Sequence, residues 1–440
     1  MTENNEGLKR EIGVWGLSAN MVNSMIGAGI FVLPAVIATG LGSASILAYL
    51  LCGLLITLIM LCFAEVGSRI TTTGGAYTYI ETVFGKYAGY ISALLYLFAS
   101  VAADAAVANS IAEIISLLLP FLRGAIFNAI FFTILFGGLA YINVVGLKKG
   151  LDFVKIVTIL KIVPLLIIIF IGFKDVSIHN LYWQSVPSVK QVGEMSLVLF
   201  FAFIGAESGL SVSGEVKNPK RTIPQALRLS VIAVLAIYIL VQTISQGILG
   251  DSLSTFKANP LAEVANHIFG PIGFTLITIG AGVSMFGFLS SEILNNPRIL
   301  FAASKDRLIP VNKLSLVHNK YATPYVSIIV YAGLCLLFSL AGGFRQLAII
   351  SSASALLIYL GVTLATIKLR IKGDSATQAG AFRIRGGYTV PVLASGVILW
   401  FLTNLADNEI KGIALFLLLF SIIYLFINPK VIKQLRKKAH

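Results

Sequence analysis

The sequence predicts an all-α polytopic membrane protein with twelve transmembrane helices. Three observations carry that prediction. Of 440 residues, 57% are hydrophobic and only 12% are charged, about half the charged share of a soluble globular domain. Mean hydropathy is +0.90. The basic residues cluster in alternate connections between long apolar runs. High hydrophobicity with little charge excludes a disordered chain and an ordinary soluble enzyme.

A helix needs about 20 apolar residues to cross a hydrocarbon core roughly 30 Å thick. By that rule the spans are 12–36, 43–66, 86–120, 125–146, 152–173, 195–213, 226–249, 271–302, 324–341, 346–371, 388–406 and 409–428. The third and eighth are long enough to tilt or to project from the bilayer. Residues 1–11 read as a polar cytoplasmic segment and 429–440 as a basic cytoplasmic tail. The first apolar run leads straight into a long span, so no cleavable signal peptide is expected.

Orientation follows from the lysines and arginines. With the N-terminus inside and residues near span ends counted with the adjoining segment, inner segments hold 26 of the 33 basic residues and outer loops hold six, with Lys161 alone deep inside a span. That asymmetry places both termini in the cytoplasm of a cell-membrane protein. It also accounts for the net charge of +14 without a nucleic-acid partner. Cys52, Cys62 and Cys335 lie in apolar runs without metal-type spacing, so neither a disulfide framework nor a zinc site is expected. No Gly-rich loop ending in Lys-Ser/Thr points to ATP, and no cofactor is implied. His267, His318, Asn266 and Asp251 fall in loops without a catalytic constellation.

Two spans differ from the uninterrupted Leu/Ile/Val/Phe runs. The first contains Ser24-Met25-Ile26-Gly27-Ala28-Gly29-Ile30-Phe31, with two glycines at mid-membrane. The sixth contains Phe200-Phe201-Ala202-Phe203-Ile204-Gly205-Ala206-Glu207-Ser208-Gly209, which adds a carboxylate. Glycine weakens a helix by about 1 kcal/mol and lets the backbone unwind. Such glycines can serve only as close-packing contacts between helices. Their occurrence in helices one and six points further, because those are corresponding members of two five-helix halves. Paired interrupted helices mark transporters built from inverted repeats. The halves would be 12–173 and 195–371, followed by two extra helices in 388–428. Freed amides receive an anion and freed carbonyls a cation. An α-amino acid carries both.

These residues also carry a family resemblance. Gly27-Ala28-Gly29-Ile30-Phe31 and Phe203-Ile204-Gly205-Ala206-Glu207-Ser208 running into Val216-Lys217-Asn218-Pro219-Lys220-Arg221 resemble the amino acid–polyamine–organocation superfamily. So does Ala302-Ala303-Ser304-Lys305-Asp306-Arg307-Leu308-Ile309-Pro310, ending near Thr323-Pro324. The sequence is most similar to its basic amino acid/polyamine antiporter and L-type branches. The resemblance implies a five-plus-five inverted repeat plus two helices, moving amino acids by alternating access. It assigns the substrate carboxylate to Ser24, Gly27, Ala28 and Gly29. It assigns the α-ammonium to carbonyls of Phe200, Ala202 and Phe203, with Ile204 nearby. Phe201 stands where the arginine/agmatine antiporter has a gating tryptophan. Glu292 stands where that antiporter has a stacking tryptophan, a departure that argues against arginine/agmatine exchange.

Ionisable residues inside a membrane are functional candidates by default. Lys161 lies in Ile159-Leu160-Lys161-Ile162-Val163-Pro164, close enough to the cytoplasmic end for its stem to snorkel. The resemblance implies instead that its ammonium occupies the cation position of sodium-coupled relatives, where its proton could replace sodium as the coupling ion. Asp104 follows Tyr96 by two turns, loosely on one face, and both are candidates for the substrate site. Asp104 could attract a cationic side chain, carry a proton, or pair with Lys161. Glu292, Asn295 and Asn296 form one polar helix face that reads as a substrate-reading group or an interhelical hydrogen-bond cluster. Glu207 would hold the broken helix or handle protons. Glu65 and Arg69 read as an ordinary i, i+4 ion pair. Lys217, Lys220, Arg221 and Asp306 would hold the inward gate or orient the loops. The leading expectation is a proton-coupled secondary amino acid permease. The alternatives are an amino acid/amine exchanger without net proton coupling and, remotely, a channel or enzyme.

Overall fold

A computed structural model describes residues 12–70, 75–145, 150–183, 185–207, 209–210, 216–305, 309, 311–321, 323–372 and 382–427. The segments expected at 1–11 and 429–440 lie outside the described residues, as do Ser208 and Asp306. Among the described residues the chain is helical, and a lone parallel bridge from Ile12 to Val216 belongs to no sheet.

The first apolar run forms two helices, α1 (Val14–Met25) and α2 (Gly29–Leu41). Next come α3 (Ile46–Arg69), the short α4 (Ala76–Phe84) and the long α5 (Lys86–Leu118). Gly75 and Gly85 bound α4 with φ of 66° and 94°, values that favour glycine. Two further helices, α6 (Ala125–Val145) and α7 (Gly150–Gly172), precede α8 (Val189–Phe200). A capping box between Ser188 and Gln191 starts α8.

After the second break run α9 (Pro219–Leu249), α10 (Pro260–Phe269), α11 (Pro271–Asn295) and α12 (Pro297–Lys305). Each of the four begins at a proline, whose missing amide is unused in a first turn. The chain continues through α13 (Tyr325–Ala341), α14 (Phe344–Ile371), α15 (Thr389–Leu402) and α16 (Asp407–Ile427).

Several boundaries differ from the sequence expectation. The first span runs to Leu41 rather than 36, because Pro34 is accommodated within α2. The sixth starts earlier, at Val189, and its regular helix stops at Phe200. The seventh extends back to Pro219, because the polar turns at its start still carry helical residues. Pro297 divides the eighth into α11 and α12, having no amide to continue the ladder. The short helices α4 and α10 were not expected, being too brief to register as membrane runs.

Seven described helical segments are long and apolar enough to cross a membrane, and α13 and α15 are shorter apolar helices. Ile126, Ile134 and Tyr141 of α6 stand exposed, as do Leu415, Leu418 and Phe426 of α16. Such faces are costly in water but not in lipid. The interior is built by α5 against α14, α3 against α9 and α1 against α9, with α11 touching α5 and α7. This packing brings α2 against α8, so the two interrupted helices meet in the middle of the protein.

Candidate functional site: two helix breaks around a central cavity

In the first break, Ile26 leaves helical geometry at φ −80° and ψ 85°. The Gly27 amide bonds back only to Met25, at 3.0 Å. In the second, a short 3-10 turn over Phe201–Phe203 ends at an extended Ile204, with φ −73° and ψ 147°. Two glycines allow the breaks to approach. A Cβ on Gly29 would lie 2.7 Å from the Ala202 Cβ and 2.9 Å from its Cα. Gly205 has φ +113°, and a Cβ there would lie 2.8 Å from the Ser24 carbonyl oxygen. Neither site has room for a side chain.

Unwinding a helix at this depth exposes backbone groups that need partners. Lys161 meets two of them, donating at 3.0 Å to the Asn23 carbonyl and at 3.0 Å to the Ile26 carbonyl. Its side chain is 1% exposed, so it turns into the protein instead of snorkelling. A cation at the carbonyl end of α1 complements the helix dipole. Tyr238 of α9 serves both breaks, its hydroxyl lying 2.9 Å from the Met25 carbonyl and 2.9 Å from the Ala202 carbonyl. One proton bridges two acceptors on helices far apart in sequence. Glu207 accepts from the Gly205 amide at 3.0 Å and so closes the second break locally.

Between the breaks lies a cavity of about 60 Å³. From the first break Ser24, Gly27, Ala28 and Gly29 reach its wall. Phe201, Ala202, Ile204 and Glu207 reach it from the second, with Tyr96 and Glu292 opposite. The first amides of α2 have no acceptor within their own helix, so this wall offers donors. Phe201 meets Phe344 edge to face, with ring centroids 5.6 Å apart. Phe344 lines a second, outer cavity with Arg345, Lys257 and Glu113. The Phe201–Phe344 contact therefore sits between the two spaces.

Three candidates for substrate binding have side chains away from the cavity wall. Phe200 is fully buried against Tyr359 and Phe401, and Phe203 packs on Tyr238 at 5.2 Å. Asp104 is fully buried and accepts from the Tyr331 hydroxyl at 2.8 Å, with no ion pair to Lys161. It connects to the cavity indirectly. Asn296 donates to Glu292 at 2.8 Å and to the Tyr331 oxygen at 2.9 Å, so Glu292 and Asp104 are ends of one chain. Asn295, the third member of the expected face, is exposed. Its amide reaches Ser291 at 3.5 Å.

The Glu65–Arg69 pair is present at 2.9 Å. Arg370 of α14 is a further partner that the sequence did not indicate: its guanidinium grips both carboxylate oxygens of Glu65 and donates to the Ile384 and Gly387 carbonyls. Tyr238, Tyr331, Phe288 and Phe344 were likewise unforeseen. A tyrosine or phenylalanine in an apolar helix gives no sequence signal of the face it occupies.

Comparison with known proteins identifies a family. The family model described as amino acid permease matches residues 12–437. The chain is 31% identical over 401 residues to the serine/threonine exchanger SteT of Bacillus subtilis, covering 89% of this chain and 88% of the relative. It is 27% identical over 448 residues to the branched-chain amino acid permease BcaP of the same organism, covering 98% and 95%. It is 30% identical over 317 residues to an arginine/ornithine antiporter of Pseudomonas aeruginosa, covering 68% and 65%. These are membrane transporters, not enzymes. The chain belongs to the amino acid permease family, within the amino acid–polyamine–organocation superfamily.

Proposed function

We propose that this protein is a secondary transporter moving a small amino acid across the cell membrane by alternating access. Its substrate binds between the two helix breaks, and its coupling runs through Lys161. The observation that carries this reading is the pair of bonds from the Lys161 ammonium to the Asn23 and Ile26 carbonyls. They place a cation of the protein against the unwound segment whose amides face the substrate. Loss of the proton removes that cation from the first break and loosens it, so proton occupancy and the state of the gate are linked.

Ser24 and the amides around Gly29 receive the carboxylate. Freed carbonyls of the second break receive the ammonium; the Ala202 carbonyl already accepts from Tyr238, which leaves its second lone pair. The cavity, about 60 Å³, amounts to roughly five times the space of one water. It suits a small neutral side chain. Asp104 is engaged with Tyr331 and stands back from the wall, so a cationic substrate has only Glu292 and Glu207 to meet. Twelve helices in a five-plus-five inverted repeat, with both termini cytoplasmic, complete the proposed architecture.

Exchange without net proton movement is the second reading, favoured by the similarity to a serine/threonine exchanger. Uptake of labelled amino acids into proteoliposomes, empty or preloaded and with or without an inward proton gradient, separates the two. Gradient-driven uptake into empty vesicles supports proton coupling. Uptake confined to preloaded vesicles and indifferent to the gradient supports exchange. No uptake of any amino acid under either condition contradicts both.

A further inference from the structure

A groove that shares no lining residue with the central cavity runs between α3 and α9. The two helices touch where a Cβ on Gly53 would lie 2.4 Å from Leu235. From there toward Arg69 and Pro219 they part, leaving about 520 Å³. The walls are apolar: Met60, Leu61 and Ala64 on α3 face Val231, Ile232 and Leu235 on α9. Phe382, whose amide donates to the Ser68 hydroxyl, lines the end near Arg69. Ile232 is 60% exposed, so the groove opens sideways onto the outer face of the helices.

The end toward Arg69 and Pro219, where Phe382 lies, is cationic. Lys220, Arg221 and Arg228 line it together with Gln225. Arg221, Gln225, Arg228, Ile232 and Leu235 fall on one stripe of α9, so charge gives way to apolar surface along a single face. Arg221 to Leu235 spans roughly 21 Å at 1.5 Å per residue. That is somewhat more than one leaflet of a hydrocarbon core about 30 Å thick. Among the described residues, Glu65 beside Ala64 is bound by Arg69 and Arg370 and does not line the groove. Arg221 and Arg228 make no ion pair with any described residue.

We propose that this groove is a binding site for an anionic phospholipid, with its phosphate between Arg221 and Arg228 and an acyl chain along Met60, Ile232 and Leu235. The chemistry selects this occupant. A soluble anion has no use for the apolar walls, and a zwitterionic lipid leaves the cations only partly matched. Basic pockets between membrane helices at a membrane surface have this composition. Assigning the lipid to the inner leaflet rests on the cytoplasmic orientation proposed above; the groove and its selectivity do not.

Native mass spectrometry of the full-length protein with phosphatidylglycerol or phosphatidylcholine tests the site. The wild type is expected to retain phosphatidylglycerol at least about fivefold better. The R221Q/R228Q variant should lose that preference, while K313Q/K320Q, altered elsewhere, should keep it. Equal retention of the two lipids, or an unchanged preference in R221Q/R228Q, overturns the proposal. A second readout uses an I232W variant in vesicles, whose fluorescence above the native tryptophans should be quenched more by brominated phosphatidylglycerol than by brominated phosphatidylcholine. Equal quenching by the two also overturns it. Selective quenching from the leaflet opposite to the one expected supports the site and overturns the orientation instead.

Discussion

The Lys161 ammonium donates to the Ile26 carbonyl at 3.0 Å, joining residues 135 apart in sequence across the unwound centre of the first membrane helix. An Asn23 carbonyl bond from the same nitrogen makes the lysine a clamp on the last turn of α1. Removing a buried partner leaves carbonyls unsatisfied at a cost of about 1–3 kcal/mol for each group. Two freed carbonyls of the break therefore depend on one side chain.

Tyr238 is the second clamp, and it spans both breaks. Tyr238→Phe keeps the ring against Phe203 and removes only the hydroxyl. Two buried carbonyls then lose a shared donor, worth about 1–3 kcal/mol. The expected result is a lower unfolding temperature in detergent and at least a severalfold loss of transport. Unchanged values for both would show that the bridge is dispensable.

Gly29 and Gly27 should respond differently to alanine. At Gly29 the new Cβ meets the backbone of Ala202, whereas at Gly27 its closest neighbour is the Phe288 ring at 3.6 Å, an ordinary contact. Overpacking typically costs about 1–3 kcal/mol, so Gly29→Ala should lower thermal stability and push the breaks apart. Gly27→Ala should leave stability near the wild-type value. Thermal unfolding of the two purified variants side by side checks this, and equal stability would contradict it.

Phe201 and Phe344 form the contact between the central and outer cavities. Such edge-to-face pairs contribute about 0.5–1.5 kcal/mol beyond burial. Phe201→Leu should therefore speed escape of bound substrate by roughly 2–12-fold, at 1.4 kcal/mol per decade. Phe344→Leu should do the same, with the double variant less than additive. Release rates measured after rapid dilution test the pair. Full additivity would place the two rings in separate roles.

Arg370 and Glu65 are nearly inaccessible, at 2% and 1% side-chain exposure. Breaking a buried ion pair from one side costs about 3–5 kcal/mol. Arg370→Met should thus be more damaging to thermal stability than Arg69→Met, which removes the partner that is 10% exposed. The reverse order would make Arg69 the principal partner of Glu65.

Much of this site was legible because its residues break local rules. Glycines at mid-membrane and a lysine among isoleucines are exceptions that hydropathy alone exposes, and both breaks, Lys161 and the cavity-facing Glu292 came from such exceptions. What stayed hidden depends on helix rotation and long-range pairing. Asp104 and Tyr96 sit two turns apart, yet only Tyr96 reaches the cavity, because packing by α13 turns the carboxylate toward Tyr331. Arg370 lies 305 residues from Glu65, and no local spacing connects them. The early start of α9 escaped because Pro219–Arg221 looks like a loop by polarity, although proline suits a helix N-terminus.

The most direct test compares wild type with Lys161→Ala in empty proteoliposomes, measuring initial uptake of whichever labelled small amino acid the wild type carries best, with and without an inward proton gradient. The account predicts that the gradient accelerates the wild type, while the folded variant shows neither the acceleration nor appreciable net uptake. Wild-type rates in Lys161→Ala, still rising with the gradient, would contradict it.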